Sequence, residues 1–213
     1  MIIKAFLAGI AIAIGCVANL TVGGIGGAFL FSCGLLTVLY FGFNLYTGKA
    51  GLVVDENFKL IYLLEILFGN IFGTAVVAAI ILGTKNNAVI EGCINIVEKR
   101  FTHGFFGTIF LSILCGILMY VAVTGYKKTK SPVIVILPVM VFVTCGFEHC
   151  IADAFYYIVA GRALGYVYLP ITVIGNFIGC CTIPFLSLLS KIEDVKREKL
   201  KKLEISSKLN ILL

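Results

Sequence analysis

Charge is scarce in this chain. Asp, Glu, Lys and Arg make up 13% of its 213 residues, against about a quarter in soluble domains, while 60% are hydrophobic. A mean hydropathy of +1.07 excludes a soluble globular enzyme. Histidine is scarcer still, with His103 and His149 the two in the chain and no His-Glu-x-x-His spacing, so the sequence implies neither a metal site nor a cofactor. Eight cysteines are present, yet no Cys-x-x-Cys pair occurs and all but Cys93 lie inside apolar runs. They read as packing residues and not as a disulfide framework.

What remains is apolar sequence long enough to cross a bilayer repeatedly. A spanning helix takes about 20 apolar residues, and residues 5–48 carry no charge at all. That run is too long for one span, and Gly23, Gly24, Gly26 and Gly27 divide it by a tight turn. Further apolar segments cover about 60–82, 104–126, 132–161 and 167–190, which predicts an all-α membrane protein of six spans. The first run continues directly into a second, with no small-residue cleavage site after a short apolar core, so it reads as a retained span and not as a signal peptide. With six spans both termini share one side, which holds 13 of the 17 basic residues, against Lys85, Lys99, Arg100 and Arg162 opposite. The positive-inside rule places both termini in the cytoplasm. Residues 1–190 are therefore expected to form one transmembrane domain, and 191–213 a charged cytoplasmic tail. That tail holds seven basic residues interspersed with acidic ones. The net charge of +6 thus marks a membrane edge and no nucleic-acid partner.

The chain also matches itself. At an offset of 104, Phe6-Leu7 pairs with Phe110-Leu111, and Gly42-Phe43-Asn44-Leu45 with Gly146-Phe147-Glu148-His149. At 106, Gly69-Asn70-x-x-Gly73 pairs with Gly175-Asn176-x-x-Gly179. Repeats of about 5–82 and 104–190, three spans each, must enter the membrane from opposite faces, with the permeation site at their interface. Gly42 and Gly146 each stand beside polar residues near mid-span, which predicts broken second and fifth helices. Freed backbone groups in hydrocarbon cost several kcal/mol each unless protein or a water-filled cavity satisfies them, so two matched breaks point to a pore.

Ionisable residues inside the membrane are functional candidates by default. His149 leads, because imidazole, with an ordinary pKa of about 6.5, changes charge with modest changes of surroundings. A weak-acid anion that shares a proton crosses an apolar slit at far lower cost than a bare charge. Glu148 is expected to be a structural strut accepting hydrogen bonds from freed N–H groups. Asp153 is expected on the face of His149 with Lys49, its repeat partner, as a candidate counter-ion. His103 reads as a surface residue and Glu65 as an interhelical or intersubunit partner.

The segment Gly146-Phe147-Glu148-His149-Cys150-Ile151-Ala152-Asp153-Ala154-Phe155-Tyr156-Tyr157 resembles the signature of the formate/nitrite transporter family, whose fifth span carries Gly-Phe-Glu-His, then Ile-Ala-Asn and an aromatic pair. Leu45-Tyr46-Thr47-Gly48 is similar to the family's Leu-Phe-Thr motif, and Thr172-Val173-Ile174-Gly175-Asn176 to its sixth span. The resemblance covers residues 5–190. It implies a homopentamer in the plasma membrane with one pore per protomer, an aquaporin-like six-helix fold, and formate, nitrite, hydrosulfide or short monocarboxylates as substrates. By motif position, Leu45 and Phe142 would form two apolar constrictions. His149 would project between them near Thr47 and Asn176, while Phe31 and Leu35 line the vestibule and slit. The family's anion-attracting lysine corresponds to Lys99 or Arg100. Two positions depart from the pattern, Gly116 and Asp153, each where the family commonly has asparagine. Only Met1 to Lys4 precede the first span, so gating by the family's N-terminal helix is not carried over.

Two other classes fit less well. A membrane enzyme using Glu148, His149 and Cys150 fails because adjacent helical residues point about 100° apart. The substrate-binding subunit of a vitamin uptake system gives no reason for the inverted repeat. A neutral-solute channel shares the architecture, but the paired Asn-Pro-Ala motifs are missing.

Overall fold

The fold, a computed structural model, describes residues 1–55 and 58–212; of the charged tail, Leu213 lies outside the described residues. Among these, every regular element is helical: α1 Ile2–Val22, α2 Gly24–Tyr40, α3 Tyr46–Ala50, α4 Leu52–Asp55, α5 Leu60–Thr84, α6 Asn87–Phe101, α7 Gly104–Thr129, α8 Val133–Thr144, α9 Cys150–Ala160 and α10 Gly165–Leu212. Segments of α1, α5, α7 and α10 are long and apolar enough to cross a membrane, and α2, α8 and α9 are shorter apolar helices.

The segment expected at 132–161 is two helices, with residues 145–149 non-helical between them, and the run 5–48 is interrupted in the same way at 41–45. Both interruptions follow one backbone plan. Gly42 and Gly146 adopt φ of 63° and 70°, a region open to glycine at no steric cost. Phe43 N donates to Val38 O and Phe147 N to Phe142 O, each at 2.9 Å. The chain then re-enters a helix through extended N-cap residues, Leu45 before α3 and His149 before α9.

Without a hydrophobic force between helices in lipid, close packing falls to small residues. In α1 the buried face is mostly small, with Ala5, Ala8, Gly9, Ile12, Gly15 and Cys16 turned inward, while Ile3 and Ile14 stand out on the other side. The tightest crossings are paired. A Cβ on Gly73 would lie 2.1 Å from Phe6 O and 3.0 Å from Gly9 Cα; one on Gly179 would lie 2.1 Å from Ile113 O and 2.9 Å from Gly116 Cα. The α1/α5 and α7/α10 crossings are therefore the same construction made twice. The short helices then exchange: α3 packs on α10, and α9 packs on α5.

Gly116 is thus a contact point and not a vacant asparagine site. A Cβ there would meet Asn176 O at 2.4 Å and Cys180 N at 2.9 Å, backbone atoms that cannot move aside. Gly116→Ala is expected to lower thermal stability by about 1–3 kcal/mol, and Gly116→Asn to yield no monodisperse protein. Size-exclusion recovery after a temperature ramp measures both.

Helix α6 was not anticipated. It is capped by Asn86, whose side chain accepts from Val89 N at 3.3 Å, and it buries Val89, Cys93, Val97 and Arg100 against α9 and α1. That i, i+4, i+8, i+11 stripe is the amphipathic signal. Burial pushes the Cys93 thiol up to about 12, an unreactive, packing cysteine. The exposed Glu98–Arg162 pair at 2.9 Å ties α6 to the turn after α9, a contact worth at most about 1 kcal/mol.

The residues of the charged tail continue α10 without a break through Leu212.

Candidate functional site

The two helix interruptions expose backbone groups that one amide side chain satisfies in each half. Asn176 accepts from Cys150 N and donates to Glu148 O and Ser112 O, all at 2.8 Å. Asn70 accepts from Tyr46 N at 2.8 Å and donates to Asn44 O at 2.8 Å and Ala5 O at 2.7 Å. Only an amide offers an acceptor and two donors on one planar group. Asn176 thus brackets His149 through the backbone on either side of it and does not bond its ring. Asn70, which no motif in the sequence marks as a site residue, does the equivalent work around Leu45. Its signal is the pairing with Asn176 in the Gly-Asn-x-x-Gly repeat.

His149 is 1% exposed. Its Nδ1 accepts from Ala152 N at 3.3 Å, capping α9, and its Nε2 lies 3.0 Å from Thr47 Oγ1. A ring nitrogen accepting an N–H carries no proton, so the neutral tautomer holds its hydrogen on Nε2, directed at Thr47. Thr47 is braced from behind, where the single S–H of Cys180 is shared between Thr47 O at 3.2 Å and Gly116 O at 3.3 Å. The imidazole stacks on Phe142 with centroids 5.7 Å apart, and Phe31 meets Phe142 edge-on at 5.5 Å.

Two cavities approach this knot. One, of about 260 Å³, is lined by His149, Phe142, Phe31, Lys99, Arg100 and His103 among others. The other, of about 160 Å³, is lined by Leu35, Leu45, Phe43, Lys49, Lys127 and Lys130 among others. They share no lining residue. Leu35 and Leu45 belong to the lining of the smaller cavity, and Phe31 and Phe142 to that of the larger.

The charged residues are arranged differently from the sequence expectation. Asp153 pairs with Arg100, while Lys49, its repeat-offset candidate, lines the opposite cavity. Arg100 is 8% exposed and its guanidinium carbon sits 5.2 Å from the Tyr156 ring centroid; Lys99 is exposed. Glu148 faces side chains and not freed N–H groups: Thr108 and Thr172 hydroxyls donate to it at 3.4 and 3.5 Å. His103 Nδ1 approaches the same carboxylate at 3.5 Å. His103, 28% exposed, is therefore part of the cavity wall and not a freely exposed residue. Its position just before α7 made it look peripheral.

Apolar helices around a buried polar knot, built at two matched helix interruptions, define a polytopic helical membrane protein of the channel or transporter class. A family model for formate/nitrite transporters matches residues 1–190. The chain belongs to the formate/nitrite transporter family. It is similar to the formate channel FocA of Haemophilus influenzae, 29% identical over 150 residues covering 61% of this chain and 51% of that protein. The formate channel FocB of Escherichia coli is 28% identical over 145 residues, with the same coverage. The chain spans about half the length of these curated relatives. Among solved structures, a pentameric formate channel with formate bound superposes with a TM-score of 0.76 at 22% identity, covering 91% of this chain and 96% of that one. An FNT family ion channel gives 0.78 at 16%, covering 89% of each. These likenesses carry the fold.

Proposed function

We propose that the chain is one protomer of a homopentameric channel for small monovalent anions of the size of formate, nitrite or hydrosulfide, each protomer holding its own pore. The protein crosses the plasma membrane six times as two inverted three-span halves. The second span is α2 with α3 and the fifth is α8 with α9, both broken at their middles. Both termini are cytoplasmic, and residues 1–190 act as one channel domain with 191–213 as its tail. The relatives named as formate channels and the pentameric neighbour support this substrate class and assembly, and family membership agrees with a non-enzymatic role.

One observation carries the reading: a fully buried, neutral-capable imidazole, hydrogen-bonded to Thr47 and stacked on Phe142, stands at the floor of a cavity walled by cationic side chains. Cations on the wall draw an anion in. Phe31 and Phe142 strip its water, and His149 shares a proton with it, so that what passes Leu35 and Leu45 is effectively neutral. The same solute then reaches the lysine-lined cavity on the cytoplasmic side.

If Leu45 and Phe142 are the constrictions, trimming either removes a steric and dehydration barrier. Leu45→Ala and Phe142→Ala are expected to raise lactate permeability relative to formate by about tenfold, a barrier change of about 1.4 kcal/mol. Proteoliposome uptake of the two anions in parallel measures the ratio. Wild-type selectivity in both variants would remove Leu45 and Phe142 from the selective path.

A further inference from the structure

Arg100 lines the larger cavity, and its partner Asp153 does not. Asp153 is completely buried, one turn into α9 from His149. An anion in that cavity therefore meets a guanidinium whose charge is already opposed from behind. Resting on the channel reading above, we propose that Asp153 is a positioning residue that sets the net positive charge an entering anion meets, by compensating Arg100 across the cavity wall.

A lone buried cation projects a long-range attraction, strengthened by low-dielectric walls. A cation in contact with a carboxylate projects a dipole, whose field fades over a few ångströms. Arg100 has five N–H donors, so pairing with Asp153 leaves others for a transient anion, which must compete with the carboxylate and is readily released. Weak multi-site binding of this kind is what conduction requires. The charged neighbours on the cavity wall do not replace the pair. Lys99 is exposed and has no ion-pair partner among the described residues, His103 Nδ1 lies 3.5 Å from Glu148, and Tyr156 offers its ring to Arg100. Asp153 is thus the element whose removal changes the charge of the wall without touching the wall.

The test uses the full chain purified in detergent and reconstituted in liposomes at low salt, with formate uptake and calorimetric titration of nitrite measured for Asp153→Asn, Arg100→Gln and the double variant. Asp153→Asn is isosteric and is expected to lower the half-saturating formate concentration and the nitrite Kd by about threefold or more, with a lower maximal rate as release slows. Arg100→Gln leaves a bare carboxylate beside the path and is expected to cut uptake by about tenfold or more; Arg100→Gln/Asp153→Asn should recover to within about threefold of wild type. Formate and nitrite affinities unchanged in Asp153→Asn, or a double variant as poor as Arg100→Gln, overturn the proposal. If Asp153→Asn is not recovered folded, Asp153→Ser is measured in its place against the same criteria. Tighter nitrite binding by Asp153→Asn in a protein whose wild type carries no formate would sink the channel reading and leave the charge-setting role standing. Formate transport by wild type with no change in Asp153→Asn would do the reverse.

Discussion

Replacing His149 with Asn is expected to flatten the pH dependence of anion flux while the protein folds and assembles as before. The substitution separates the cap that the ring forms from the proton sharing proposed for it. As an N-cap, His149 accepts from Ala152 N at 3.3 Å through Nδ1; asparagine is among the best N-cap residues and its side-chain oxygen can take the same bond. As a proton-sharing group facing Thr47 Oγ1 at 3.0 Å, the ring has no substitute in an amide, which does not titrate. Wild-type formate flux should rise as the outer pH falls, by up to about tenfold per unit while one protonation limits passage. In His149→Asn the profile across the acid-to-neutral range should be level once leak through protein-free vesicles is subtracted. The sign follows from the chemistry, since acid supplies the proton that neutralises the anion at the slit. A variant that keeps the wild-type slope would show that protonation occurs elsewhere, and His149 would then be only a cap.

The second large effect is structural. Asn176→Leu keeps volume and removes every hydrogen bond of the second-half staple. Ser112 O lies within α7 and keeps its place in that helix, so the heaviest losses fall on Cys150 N and Glu148 O, which flank the interruption. Each buried backbone group without a partner costs about 1–3 kcal/mol, or about 2–6 kcal/mol for the two. Asn70→Leu should cost a comparable amount, through Tyr46 N and Asn44 O. Thermal unfolding followed by size-exclusion chromatography should show both variants melting well below the wild type. The amide-retaining change Asn176→Gln should be milder than Asn176→Leu. Loss of stability in one half alone would mean that the two interruptions are not held in the same way.

Much of this arrangement was legible in residue types that have few substitutes. The Gly-Asn-x-x-Gly repeat marks Gly73 and Gly179, where helices cross too closely for a side chain, and Asn70 and Asn176, where an amide must serve both directions of backbone hydrogen bonding. Gly42 and Gly146 mark the positive φ of the interruptions. Less legible were pairings across distance. The repeat offset nominated Lys49 for Asp153 because it compares position within each half, whereas an ion pair depends on which element packs alongside. That element is α6, and its apolar stripe of Val89, Cys93 and Val97 was diluted by the charges of its exposed face. Once α6 lies against α9, Arg100 falls on Asp153 and His103 is carried to Glu148. Glu148 in turn was expected to hold freed backbone, a task that Asn176 performs, leaving the carboxylate to hydroxyls and imidazole. Gly116 looked like a missing asparagine because a sequence comparison does not report the separation of α7 from α10.

Conduction of small monovalent anions through a pore in each protomer is the proposed activity. Its most direct test is stopped-flow uptake by liposomes containing the purified full chain, with formate, nitrite, hydrosulfide, acetate and lactate measured in parallel beside glycerol as a neutral control. Saturable uptake of the smaller anions well above protein-free vesicles, weaker uptake of lactate and no uptake of glycerol are expected if each protomer is such a channel. Glycerol flux without anion flux, or anion uptake no faster than in protein-free vesicles, would contradict it.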